Sequence, residues 1–302
     1  MGVSLGLVVI ARNEGDRLRR CLESSRGQAQ VVYVDSGSTD GSVALARSLG
    51  AEVVELDLSR PFTAARARNE GFARLIALRP ALDYVQFVDG DCELVEGWLE
   101  RAVAHMAQHP RAAAVCGRRR ERYPEATIYN HLCDIEWDTP IGLATACGGD
   151  ALMRVIPFGE VGGFDAGLIA GEEPDLCFRL RQRGWEIWRI EAEMTLHDAA
   201  MTRLGQWWKR NVRSGHAFAE ALQRHGGAAE PVARRQVISN LLWSLPPAWP
   251  LWPVLWWRVY RRRPDAAYAA FIVLGKLPHL EGHLKFWLAR ARGQQRRIIE
   301  YK

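Results

Sequence analysis

The sequence predicts an α/β chain with a mostly parallel, doubly wound central sheet, followed by a helical, Trp- and Arg-rich, membrane-associating segment. Three observations predict it. Apolar runs of strand length alternate with helical spacings through the first half, the pattern of right-handed crossovers in a parallel sheet. Several of those runs stop at polar, acidic loops, and in open α/β sheets ligands bind beyond the carboxyl ends of the strands. In the last quarter, tryptophans and prolines precede a cluster of arginines.

Residues 5–10 (LGLVVI) are an apolar run expected of a parallel strand buried on both faces. The loop Ala11-Arg12-Asn13-Glu14 follows, then a helix with Leu18, Cys21 and Leu22 on one face. Residues 30–34 read as a second strand running into DSGSTDGS, a loop dense in turn formers and N-cap residues. A helix through Val43, Leu45, Ala46 and Leu49 comes next. A third strand is expected over 51–56, and a long helix over 63–78 carries Arg66, Arg68 and Asn69. The central strand, 84–88 (YVQFV), ends in Asp89-Gly90-Asp91. Two carboxylates one residue apart, with Gly90 letting the backbone turn, suit a hard cation such as Mg²⁺ or Mn²⁺. A solvated Asp-Gly turn is the plainer alternative. A helix over about 95–109 and a strand over 113–119 complete this half. Residues 171–185 (GEEPDLCFRLRQRGW) spell out a helix: Pro174 suits its first position, acids crowd its first turn, arginines fall late, and Gly184 closes it. Residues 186–190 read as a strand, and His197 follows.

The totals narrow the function. A net charge of +5 on 302 residues demands no nucleic-acid partner. No G-x-G-x-x-G opens the first helix and no P-loop occurs, so phosphate would be held through a metal rather than by a glycine cradle. Six scattered cysteines without C-x-x-C spacing disfavour a disulfide framework or a zinc site and fit a reducing compartment. Residues 5–10 are too short for a secretory signal. The active domain is expected in the cytoplasm, peripheral on the cytoplasmic face of a membrane.

Five blocks, VVIARNEGDRLRRCLES, VVYVDSGSTDGS, AARARNEGFA, VQFVDGDCEL, and VGGFD followed by GEEPDLCFRLRQRGW, together resemble the family 2 glycosyltransferases of the GT-A fold. The resemblance covers about residues 3–213. It implies inverting transfer of a sugar from a nucleotide-diphosphate donor, expected to be a UDP-sugar, to a glycan or lipid-linked acceptor, with Mg²⁺ or Mn²⁺, in cell-surface polysaccharide or glycolipid synthesis. Residue by residue, it places Ala11, Asn13 and Glu14 beside the nucleotide and Asp35 on the base. Arg66 and Asn69 would close over the base or diphosphate. Asp89, with Gly90, would face the ribose or the metal, Asp91 would ligate the metal, and His197 would reach the same cation. Ser36 stands where the second block usually has a further acid. The usual Glu-Asp pair is Glu172-Glu173 here, with Glu173 the first choice of base and Glu172 the second. The chemistry asks for the same parts: a cation to neutralise the departing diphosphate and a carboxylate to deprotonate the attacking hydroxyl.

Weaker features have two readings each. Gly149 and Asp150 either shape an acceptor pocket or form a tight turn. Arg203, Gln206, Arg210 and Arg213 share a helix face, which is either a diphosphate clamp or a solvated basic surface. Residues 237–257 are about long enough to span a bilayer, but Pro246, Pro247, Pro250 and Pro253 argue against a straight helix. Their tryptophans, followed by Arg258, Arg261, Arg262 and Arg263, suit a segment lying among lipid headgroups. From Arg258 onward eleven Lys/Arg face three Asp/Glu. The alternative is a helical appendage whose tryptophans pack on the catalytic domain. The expected division is a catalytic domain over 1–228 and a membrane-associating region over 229–302, with no signature of oligomeric state. A sugar-phosphate nucleotidylyltransferase and a non-catalytic nucleotide-binding membrane protein are the competing functions.

Overall fold

A computed structural model describes residues 3–229 and 231–293. They form two compact units. The first holds the chain up to Tyr123, Glu136–Leu168 and Glu172–Ala199, and the second holds Pro124–Ile135, Ile169–Gly171 and the chain from Ala200. The division at 199/200 falls ahead of the expected boundary at 228, because the helix starting at Leu204 packs on the helices that follow it.

In the first unit, β1 (Leu5–Ala11), α1 (Asp16–Ser24), β2 (Gln30–Asp35), α2 (Ser42–Ser48), β3 (Glu52–Glu55), α3 (Ala64–Leu78) and β4 (Tyr84–Asp89) alternate as expected. Then come β5 (Cys92–Leu94), α4 (Trp98–Gln108) and β6 (Ala112–Glu121). After the helix α5 (Ile128–Glu136), which belongs mainly to the second unit, follow β7 (Gly142–Ala144), β8 (Ala151–Arg154), α6 (Val155–Glu160), α7 (Glu172–Gln182) and β9 (Glu186–His197). Among the described residues the strands join in one sheet of order β3-β2-β1-β4-β8-β6-β9-β5, with β7 also on β9. The half from β3 to β4 is parallel. Three of its strands have fully buried centres, Leu7 to Val9, Val32 to Val34, and Val85 with Phe87, which is why they read as mainly apolar runs; β3 is at most half-buried. The other half is mixed, with β8 antiparallel to both neighbours and β6 parallel to β9. Pro174 is the third residue of α7 rather than the first. Gly184 closes it with a φ of 83°.

The second unit is helical. α8 (Leu204–Ala229) bends at Gly226 and is followed by α9 (Pro231–Ser244), a 3₁₀ turn (Pro246–Leu251), α10 (Trp252–Arg262), α11 (Ala266–Leu274) and α12 (Lys276–Ala291). α8 and α12 cross closely: a Cβ on Gly215 would collide with the His279 backbone, and one on Gly282 with Val212 O. The prolines break 237–257 into the end of α9, the 3₁₀ turn and the start of α10. Among the described residues no helix is long and apolar enough to cross a membrane.

Candidate active site

Asp89 closes β4, and its carboxylate, 30 % exposed, takes Arg68 Nη2 at 2.6 Å and faces Arg119 Nη2 at 3.8 Å. Arg68, from α3, is 3 % exposed, and its other amino group donates to Glu172 Oε1 at 2.8 Å. One guanidinium thus ties the end of β4 to the first residue of α7. Phe164 lies against that guanidinium, 5.5 Å from ring centroid to Cζ, a cation–π contact. Burial by itself would raise the Asp89 carboxyl; Arg68 and then Arg119 outweigh it and hold the group at about 2.

The loop from Cys147 to Asp150 touches the same cluster at three points. Cys147 N–H donates to Glu173 Oε1 at 2.5 Å, and the Cys177 thiol donates to the same oxygen at 3.0 Å. Among the described residues Glu173 Oε2 accepts no hydrogen bond. Gly149 lies so close to the salt bridge that a Cβ would stand 2.8 Å from Arg68 Nη2 and 2.9 Å from Asp89 Oδ2. Asp150 is fully buried: Oδ1 accepts the Asp89 N–H at 3.0 Å, and Oδ2 takes Thr195 Oγ1 at 3.0 Å and Arg119 Nη2 at 2.7 Å.

Beyond Asp89, Gly90 passes against β1, where a Cβ would stand 2.5 Å from Ala11 Cβ. Close approach, not a left-handed turn, is what excludes a side chain there. Asp91 is buried, with Oδ2 3.3 Å from His197 Nε2. The pairing of β5 with β9, which sets Cys92 opposite His197, fixes that approach. His197 Nδ1 faces Glu121 Oε2 at 3.7 Å, and its ring meets Trp137 edge-on. Burial lowers the His197 pKa, favouring the neutral imidazole that ligates metals. Ligand atoms of Asp91, Cys92 and His197 all lie within 4.8 Å of one another. The clustered carboxylates Asp89, Asp91, Glu121, Asp150, Glu172 and Glu173 outnumber Arg68 and Arg119, so a divalent cation suits both the donors and the local charge. In this arrangement the Asp89 oxygens face guanidinium groups, whereas Asp91 faces His197.

Residues 7–158, just over half of the chain, match the description Glycosyl transferase family 2. The chain belongs to that family. Its fold is GT-A: a mannosyltransferase from Pyrobaculum calidifontis, solved with GDP-Man and Mn²⁺, aligns with a TM-score of 0.61 at 18 % identity, covering 94 % of this chain and 86 % of that one. A pre-mycofactocin glycosyltransferase of Mycobacterium tuberculosis is 27 % identical over 244 residues, covering 75 % of this chain and 49 % of that protein. The chain therefore spans about half the length of that curated relative. The succinoglycan biosynthesis protein ExoA of Rhizobium meliloti is 23 % identical over 313 residues, 93 % of each chain.

In this family 2 chain, the loops after β1 and β2 form one rim. Asn13, at a φ of 55°, accepts Thr39 N–H at 2.7 Å on Oδ1 and donates its own N–H to Ser38 Oγ at 2.9 Å. Ala11 O accepts Ser36 N–H at 3.1 Å, and Glu14 pairs with Arg17 at 2.7 Å. Asp35 is buried and accepts Tyr33 OH at 2.6 Å and the N–H groups of Gly37 and Ser38 at 2.9 and 2.8 Å. It shapes the loop that would receive a base. Burial, with Asp35 adding to it, pushes the Tyr33 hydroxyl pKa up.

Arg66 and Asn69, expected to close over the base or diphosphate, bond within the protein here. Arg66 donates to Glu70 at 2.6 Å and to the carbonyls of Asp57 and Arg60 at 2.9 and 3.1 Å. The Asn69 amide bonds Phe164 in both directions, at 2.6 and 3.0 Å. Arg68 is the cation that α3 brings to the site, a role the sequence reading missed. It shares a buried stripe with Gly71 and Leu75, and that three- and four-residue spacing was the available signal. Asp150 is buried with both oxygens engaged, and Gly149 packs against the Asp89–Arg68 pair. Arg210 and Arg213 lie on α8 in the second unit. There Gln206, from the same face, accepts the N–H groups of Thr202 and Arg203 at the helix start.

Proposed function

We propose that the first unit transfers a sugar, with inversion, from a nucleoside-diphosphate donor of the UDP-sugar type to a hydroxyl of a glycan or lipid-linked acceptor, with Mn²⁺ or Mg²⁺ as cofactor. The observation that carries this reading is the convergence of Asp91 and a neutral His197 just past the end of β4, beside the cluster that includes Glu172 and Glu173. The family 2 match, and the Mn²⁺ and nucleoside-diphosphate sugar (GDP-Man) held by the Pyrobaculum mannosyltransferase, support the metal and the donor class, though not the uracil base. Asp91 and His197 would hold the cation, which when bound stabilises negative charge on the leaving diphosphate. The rim of Ala11, Asn13, Glu14 and Asp35 would receive the nucleoside. Asp89, kept ionised by its two arginines, would face the ribose.

Glu173 would take the acceptor proton on Oε2, because its other oxygen is held by neutral donors and, among the described residues, its carboxylate has no guanidinium partner. Glu172 instead serves Arg68 as a counter-ion. The kinship to ExoA supports a role in polysaccharide synthesis, and the second unit would hold the enzyme at the cytoplasmic face of a membrane.

Turnover of a panel of nucleotide sugars with Mn²⁺ tests the reading. Asp91→Asn should abolish stimulation by the metal. Glu173→Gln should lose about 10²–10⁴-fold in rate, the usual worth of a general base. Sugar transfer that survives Glu173→Gln at the wild-type rate would remove the base assignment.

A further inference from the structure

The second unit has an apolar core that includes Trp207, Val212, Val273 and Phe286, yet two of its helices also carry large apolar side chains on their outer faces. On α9 the buried face carries Ala233, Val237, Asn240 and Ser244, while Ile238, Leu241, Leu242 and Leu245 are exposed. Those four exposed positions follow three- and four-residue spacing, so they form one apolar stripe. α12 repeats the pattern: Gly282, His283 and Phe286 are buried, and Leu284, Trp287 and Leu288 face out. Between α9 and α12 the 3₁₀ turn and α10 expose Trp249, Leu251, Val254 and Trp257.

Polar groups are buried on the inner faces of the same helices. Lys276 Nζ donates to Asn240 Oδ1 and Ser239 Oγ, both at 3.1 Å, Asn240 Nδ2 meets His283 Nε2 at 3.3 Å, and His283 Nδ1 donates to Gly215 O at 2.7 Å. A helical unit in water places its large apolar side chains inward, and contiguous exposed apolar surface marks a contact with something else. The charge says what. Between residues 231 and 293 ten Lys/Arg face two Asp/Glu, and Arg234, Arg235, Arg258, Arg261 and Arg262 are exposed beside the stripes. Tryptophan at an apolar–polar boundary, ringed by arginine, matches an anionic lipid headgroup layer.

We propose that the outward faces of α9, α10 and α12 form one monotopic membrane-docking surface, seated in the headgroup and upper acyl layer of an anionic bilayer. It deepens the membrane part of the proposed function and rests on that part alone. The catalytic reading can fail without it.

Flotation of the full chain with phosphatidylcholine vesicles, with and without phosphatidylglycerol, tests the proposal. Binding should favour the anionic vesicles and weaken as salt rises. A Leu241→Asp/Leu242→Asp variant, altered only at exposed positions, should lose about tenfold or more in vesicle affinity, since that affinity scales with buried apolar area. It should still turn over a soluble donor at the wild-type rate. A second variant, Trp249→Phe/Trp257→Phe/Trp287→Phe, should lose most of the fluorescence quenching by brominated lipid. Unchanged flotation of the Asp variant, quenching that survives removal of the three tryptophans, or a stable dimer that covers the stripes in solution would each overturn the docking surface. Loss of donor turnover with vesicle binding intact would count instead against the catalytic reading.

Discussion

One guanidinium, that of Arg68, serves two carboxylates from different elements, Asp89 and Glu172. Arg68→Met would leave both acids without it. Breaking a buried pair in this way costs about 3–5 kcal/mol, and the lower end is expected because Asp89 keeps part of its surface in water. Arg68→Lys should recover little, since an ammonium lacks the two-pronged fork. Chemical denaturation of the three proteins measures this directly. Gly149→Ala tests the geometry without removing a charge: its methyl would enter the space held by Arg68 Nη2 and Asp89 Oδ2. Turnover should fall about 10–100-fold, the loss expected when reacting groups are displaced by roughly an ångström, with circular dichroism unchanged. Wild-type turnover in Gly149→Ala would show that the pair can separate freely. Local chemistry made Asp89, Asp91 and the Glu172-Glu173 pair legible in the sequence. The demand on Gly149 was not legible, because it comes from an arginine on α3 and an aspartate ending β4, brought together only by folding. Arg66 and Arg68 were not separable by residue type, and helix phase decided between them.

At the scale of elements, β1, β2 and β4 were readable because both faces are covered and their central positions are mostly apolar, while β3, only half-buried, shows just Val53 and Val54 between two glutamates. β5, β7 and β8 have three or four residues each, too short for any period to show. β9 runs well past Ile190, where the sequence reading stopped at Glu191 and Glu193. Ala192 and Met194 are buried, so the strand continues past a register shift against β6 that moves the buried positions from Ile187 and Arg189 to Ala192 and Met194. That extension delivers His197 to Asp91. α3 starts where expected because Thr63 caps it, its Oγ1 accepting Arg66 N–H at 3.0 Å. The same hydroxyl donates to Ala166 O at 3.2 Å. Thr63→Ala should therefore cost about 1–2 kcal/mol, read as a lowered denaturation midpoint with an unchanged slope. Thr63→Ser should restore most of it, and a failure to do so would mean that the methyl group, not the cap, sets the stability.

At the scale of the whole molecule, the titratable groups buried in the helical unit have a consequence for acid stability. Burial, then Lys276, His283 and Arg210, drive the pKa of His279 down to about 3, while burial lowers those of Lys276 and His283. The groups facing His279 are thus cations from α12 and α8, together with the ring of Phe218. A histidine whose pKa is lower folded than unfolded takes up its proton more readily when unfolded. Stability therefore rises with pH through the window between about 3 and the unfolded value of about 6.5, and acidification into that window destabilises the unit. The slope from this residue is at most about 1.4 kcal/mol per pH unit. Urea denaturation followed by helix signal at pH 7 and pH 5 should show a lower midpoint at pH 5. His279→Gln should flatten that dependence, because glutamine takes up no proton in this range. Equal midpoints at the two pH values in the unaltered protein would mean that water reaches the imidazole in the folded unit.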